Sequence, residues 1–254
     1  MLRIASIALV AAMAAASVAY AATGGSASPR KGATYADAAA RTLRAPTMRF
    51  AVDVRIVRNA HPAALHVRGA TAPDALQLRL KLDDAKAADG TVLPGTNGAV
   101  VVDGPFLYER APAGMVVGKL QWLRENLDDL NPSSPNLKNI EHMTPRSLLR
   151  ILDRTHMRPT GDPGVFSGRL AYDDPVVRNR LGSLTGDVEF RRLRAMALVG
   201  TDGRVHRVRI TGVTADGKTT LRVLAYLHKF GAPVKVKPPA QDTFLDLKRE
   251  QLAQ

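Results

Sequence analysis

Met48-Arg49-Phe50-Ala51-Val52-Asp53-Val54-Arg55-Ile56 sets a bulky apolar side chain at every second position and a charged or small one between. Successive strand side chains point to opposite faces, so this stretch predicts a strand with one apolar and one polar side. Leu76, Leu78, Leu80 and Leu82 alternate with Gln77, Arg79 and Lys81 in the same way. Residues 66–68 between them are a weaker strand candidate. One-sided strands suit an antiparallel sheet packed on a single face.

The neighbouring sequence extends this sheet. Residues 35–44 have helical composition and stop before Pro46, so a short helix leads into the first strand. Residues 99–103 and 106–109 predict two short strands around Gly104-Pro105. Residues 115–124, which carry the single tryptophan Trp122, predict another. Residues 126–140 are rich in turn formers. Thr144-Pro145 marks a helix start, and Leu148, Leu149 and Leu152 share one face of a helix over 145–154. Residues 157–160 and 165–172 flank the turn Gly161-Asp162-Pro163-Gly164, and 174–184 predict a second short helix. A meander follows at 188–199, 205–213 and 219–229, turned at Asp202-Gly203 and Asp216-Gly217. Glycine accepts positive φ at such turns without steric cost. Residues 242–251 predict a terminal helix. About eight or more antiparallel strands can curl into a barrel or half-barrel. Two short helices give its apolar side little cover. An apolar hollow is one consequence, and a core filled by Leu and Met is the other.

Arg3, the apolar run over residues 4–18 and Ala19-Tyr20-Ala21 make the three-part layout of a secretory signal. The run is shorter than the roughly 20 residues a membrane span needs, and an uncleaved anchor is the alternative. Cleavage after Ala21 leaves 233 of the 254 residues. Residues 22–34 then read as a flexible lead and 35–254 as a single domain. The location is extracytoplasmic: periplasm, cell envelope or secreted. The chain has no cysteine, so it has no disulfide, no thiolate ligand or nucleophile, and no lipobox cysteine. Net charge is +13, and Arg3 is the only charge in the signal, which leaves +12. That balance favours anionic partners such as phospholipid headgroups, an anionic membrane surface or acidic glycans, and a solvated basic surface is the alternative. Export and an aromatic content of 5% argue against nucleic acid.

Gly212-Val213-Thr214-Ala215-Asp216-Gly217-Lys218-Thr219 fits the phosphate-loop pattern G-x-x-x-x-G-K-[ST]. Phosphate binding by that loop needs a helix directly after it. Thr219-Thr220-Leu221-Arg222-Val223 reads as strand, so the match is a hairpin turn. His61, His66, His142, His156, His206 and His228 lie at no metal-ligand spacing. Neighbours Asp128-Asp129 and Asp173-Asp174 point apart, and Ser147 and Ser183 lack a nucleophile elbow. No catalytic residue, metal or cofactor is expected, and the chain reads as a non-enzyme.

The order of these features resembles the superfamily of LolA/LolB carriers and LppX/LprG lipoproteins over most of the exported chain. The resemblance rests on a helix and strand like 35–58, then on Val102-Asp103-Gly104-Pro105-Phe106-Leu107-Tyr108 and Gly118-Lys119-Leu120-Gln121-Trp122-Leu123. It continues with Ser147-Leu148-Leu149-Arg150-Ile151-Leu152, Thr201-Asp202-Gly203-Arg204-Val205 and Phe230-Gly231-Ala232-Pro233-Val234-Lys235-Val236. It implies an α+β fold: one strongly curved antiparallel β-sheet, a U-shaped half-barrel, with a few helices covering its concave face. It also implies a carrier that holds lipid or lipid-modified cargo between sheet and helices. By position, Phe50, Val52, Val54, Leu76, Leu78, Leu80, Val208 and Ile210 would face the hollow. Leu148, Leu149 and Leu152 would close it, and Tyr108 and Trp122 would either sit near its rim or pack against the sheet. A Leu78→Arg change would then abolish lipid uptake while the fold survives. LppX/LprG-like members carry a lipidated cysteine after the signal; its absence here favours a soluble shuttle, and a monomer is expected. The superfamily also includes envelope-stress regulators, so a sensor with a membrane-protein partner is the alternative.

Overall fold

The computed structural model describes residues 34–73, 75–83, 85–86, 92–93, 95–111, 118–129, 140, 142, 144–185 and 188–247. The expected signal lies outside these residues, as does the expected lead apart from Thr34.

Thr34 opens helix α1 (Tyr35–Leu43) with a reciprocal cap. Its hydroxyl accepts from the Asp37 N–H at 3.2 Å, and the Asp37 carboxylate accepts from the Thr34 N–H at 3.3 Å. Strands β1 (Met48–Arg58) and β2 (His61–Ala72) form a hairpin. Its turn residues Asn59 and Ala60 both have positive φ, as a tight two-residue hairpin requires. Next come β3 (Ala75–Leu82), the short pair β4 (Ala85–Lys86) and β5 (Val92–Leu93), β6 (Thr96–Asp103), β7 (Phe106–Arg110) and β8 (Trp122–Asn126). Helix α2 (Pro145–Asp153) precedes β9 (Arg158–Pro159) and β10 (Val165–Leu170), and helix α3 (Pro175–Thr185) follows them. The meander is β11 (Arg192–Val199), β12 (Val205–Val213) and β13 (Thr219–His228), and β14 (Phe244–Asp246) ends the described chain.

Twelve strands form one open sheet in the order β14-β8-β7-β6-β3-β2-β1-β13-β12-β11-β10-β9. The first and last strands of the chain's long hairpins, β1 and β13, pair over ten positions in its middle. The sheet is a half-barrel with β14 and β9 as edges. All its pairs are antiparallel except β14 on β8, which is parallel, so the sheet is mixed where a wholly antiparallel one was expected.

Cross-strand register divides the side chains into two faces. The inner face runs Phe166, Ala197, Val208, Ala225, Val52 and Val67 from β10 to β2. It continues through Leu80 and Gly98 onto β3 and β6. Helix α2 lays Leu148, Leu149, Ile151 and Leu152 into this face, each at most 1% exposed. Burial of that kind contributes about 1.5–3 kcal/mol per side chain. Thr42 ties α1 to β12: its hydroxyl donates to the Ala38 carbonyl at 2.7 Å and accepts from the Val205 N–H at 2.8 Å. Arg180 on α3 donates to the Ser147 hydroxyl on α2 at 2.8 Å, which gives the buried Ser147 a structural partner.

Four segments differ from their sequence reading. The weak candidate at 66–68 is the middle of the twelve-residue β2. Gly69 leaves room on its inner side for Phe50; a Cβ there would come within 2.5 Å of the Phe50 ring. In the stretch 115–124 the described strand starts only at Trp122, and residues 112–117 lie outside the described ones. Residues 188–190 belong to no strand, and β11 starts at Arg192. The terminal helix expected over 242–251 is, in its described part, a 3-10 turn (Gln241–Thr243) and β14. Phe244 packs edge-on against Tyr108 at 5.5 Å, and Asp246 takes two bonds from Arg124 at 2.5 and 2.8 Å. Contacts of this kind override the weak helical preference of a short segment. The phosphate-loop match is the expected hairpin: Gly217 has φ +72°, and β13 starts at Thr219.

Candidate functional site

The inner face is the candidate site, and it has two parts. Under α1, α2 and α3 it is sealed. Phe50, Val52, Val54, Val208 and Ile210 are at most 2% exposed and join Leu148, Leu149 and Leu152 in one core. Leu78 is also fully buried, below Phe50 and beside Gly69. Toward β8 the face is less covered. Leu76, Leu80, Leu82 and Val102 are only half-buried against the core, and Leu123 is half-buried as well. Of the two consequences drawn from the sequence, the structure shows a packed core under the helices, with partly buried aliphatic side chains beyond them.

Two of the expected rim residues lie on the opposite side. Tyr108 pairs with Val101 and Arg124, and Val101 with Gln77, all on the outer face. Trp122 is opposite Arg110 on the same face. Strand alternation allows nothing else, because Leu107 and Glu109 point inward. Tyr108 instead belongs to a latch. Arg124 lies over the rings of Phe106 at 4.7 Å and Phe244 at 4.4 Å while binding Asp246, and the Asp246 and Tyr108 hydrogen bonds raise its pKa further. Residues 230–240 cross the outer face to bring β14 to this edge. Lys237 and Pro239 wall a cleft of about 700 Å³ with Arg68, Arg79, Arg110 and Trp122. Leu78→Arg is likewise corrected as a test of uptake: a charge at a fully buried site breaks the core. Leu80, half-buried on the same face, is the gentler position.

Sequence reasoning missed two features. On the inner side of β7 and β8 stand Glu109 and Glu125. Glu125 is 7% exposed, and burial raises its pKa. Burial, with the Glu125 carboxylate nearby, raises the pKa of Glu109 to about 6. Such a pair offers negative charge to a cationic group, or neutral O–H donors in mild acid. On the outer face His66 bridges Asp53 at 2.7 Å and Asp83 at 3.2 Å. Burial opposes ionisation of Asp83, but the Lys81 and His66 hydrogen bonds outweigh it and lower its pKa. Alternation could have signalled both, since Asp53 and His66 are direct cross-strand partners. Among the described residues no group of three or more acidic or histidine side chains could hold a metal ion.

No protein-family model matches the chain, and no curated protein matches it. Solved structures do resemble it. LprF from Mycobacterium bovis, of the LppX/LprG group, is 13% identical with a TM-score of 0.44, over 84% of this chain and 100% of that one. A DUF1329 family protein from Desulfovibrio piger is 9% identical with a TM-score of 0.30, over 82% and 96%. A domain assigned as an outer membrane lipoprotein-sorting protein, from Vibrio parahaemolyticus, is 10% identical with a TM-score of 0.29, over 81% and 94%. All three score 0.44 or below. At such scores they carry no functional argument, and the function rests on the geometry of the sheet.

Proposed function

We propose that this chain is an exported, non-enzymatic lipid carrier whose apolar floor holds acyl chains. The observation that carries the reading is the split of the inner face. One half is sealed by three helices, and the other leaves Leu76, Leu80, Leu82, Val102 and Leu123 half-buried. Half-buried aliphatic side chains on one face, set among the buried Leu78, Val100 and Leu107, suit an unbranched hydrocarbon, which needs area and no polar partner. Glu109 and Glu125 stand on β7 and β8 beside Leu123 and disfavour an anionic group there, so an anionic lipid would point its headgroup away from them.

Native mass spectrometry of the protein from its own host, followed by solvent extraction, tests this. Discrete added masses that extract as lipid are the expected result. Leu80→Arg should cut uptake of a labelled phospholipid about tenfold or more while the far-ultraviolet spectrum stays unchanged, since a charge on the strip costs several kcal/mol against hydrocarbon. A bare polypeptide mass with no uptake from labelled vesicles would reject the carrier reading in favour of a sensor that binds a protein.

A further inference from the structure

The outer face of β1 and β10 to β13 carries a row of arginines in direct register. Arg169 is opposite Arg194, Arg194 opposite Thr211, Thr211 opposite Arg222, and Arg222 opposite Arg55. Arg209 and Arg207 stand on β12 beside this row, and all six are exposed. None of the six has an ion-pair partner among the described residues. The only carboxylate these strands turn outward is Asp53, which is occupied by His66 and Arg68. Like charges placed opposite each other on neighbouring strands are destabilising. A sheet face gains nothing from such an array by itself.

Half-buried apolar side chains are interleaved with the arginines. Met196 and Leu224 flank Arg209 across the sheet, and Leu198 and Tyr226 flank Arg207. The arginines line two adjoining hollows of about 800 and about 240 Å³, and Asp162 is the single acid at the rim of the smaller. Lys237 and Pro239 wall the cleft on the other half of the outer face, whereas no residue of that segment lines these hollows. Guanidinium groups bind phosphate through paired parallel hydrogen bonds. Apolar side chains between them match the depth just below a headgroup layer. A nucleic acid would use stacked aromatics, and this face offers only Tyr226.

We infer that this arginine face docks the protein on a bilayer of anionic phospholipid. The inference extends the carrier reading, since a carrier must meet a membrane. It is measured without cargo, so either can fail alone.

The test is co-sedimentation of the protein with vesicles of phosphatidylcholine containing phosphatidylglycerol, against vesicles of phosphatidylcholine alone. A basic residue at an anionic surface is worth on the order of fivefold in partition. Arg194→Gln, Arg209→Gln and Arg222→Gln together should therefore lower binding about a hundredfold. A control removes the same charge on the helix side: Arg44→Gln, Arg146→Gln and Arg178→Gln. It should lower binding less than about fivefold, because those charges sit on the helices at the other side of the sheet. Binding of the unaltered protein should also collapse between about 0.05 and about 0.5 M salt. Equal losses in both triple variants, a larger loss in the control, or no preference of the unaltered protein for phosphatidylglycerol would each overturn the inference.

Discussion

Glu109 and Glu125 are the charged side chains that β7 and β8 turn toward the apolar face, and their cost to the fold depends on pH. Burial lifts Glu109 from 4.5 to about 6. A carboxyl whose pKa is higher folded than unfolded keeps its proton longer in the folded state. Stability then falls as pH rises from about 4.5 to about 6, and the penalty is complete above that window. Glu109→Gln removes the charge and keeps the shape. Urea unfolding at about pH 7.5 should find the variant more stable by about 1–2 kcal/mol, and at about pH 4 no more stable than the original. A variant that loses stability at the higher pH would mean that the carboxylate has a favourable partner.

Among the elements, β14 depends most on distant partners. It has three residues, pairs in parallel with β8, and is held by Asp246 on Arg124 with Phe244 stacked on that guanidinium. Arg124→Ala removes the centre of this latch. Amide exchange over residues 244–246 should then quicken about tenfold or more, while β1 and β13 in the middle of the sheet keep their protection. Equal acceleration in both places would make Arg124 a support of the whole fold. β14 also marks the limit of what sequence conveys. Strands β1, β3, β12 and β13 were legible because alternation is a local property of each. β2 and β14 were not, because Ala, Gly and Pro in one and a three-residue span in the other become strand only against their partners. The floor residues Leu76 and Leu80 followed from alternation. Tyr108 and Trp122 were misplaced because a one-residue change of register moves a side chain to the other face. Fixing that register requires the turns at Gly104-Pro105 and near Gly118.

For the whole molecule, charge is distributed by face rather than evenly. The inner face is apolar with two buried acids. The outer face sets Arg169 against Arg194 and Arg222 against Arg55, with no acid between. That arrangement sets intramolecular repulsion against the packing of the core behind it, and the two respond differently to salt. Apolar burial is nearly indifferent to moderate salt, whereas exposed like charges about 5 Å apart are screened by it. Thermal unfolding should therefore shift upward by a few degrees between about 0.02 and about 0.5 M sodium chloride, against the loss expected for a fold held by exposed ion pairs. Arg194→Thr should give part of the same gain at low salt, because threonine suits a strand and relieves the pair with Arg169. It should also respond less to added salt. If salt lowers the midpoint instead, the ion pairs around Asp53, Asp83 and Asp246 outweigh the arginine repulsion, and the outer face needs no anionic partner to explain its charge.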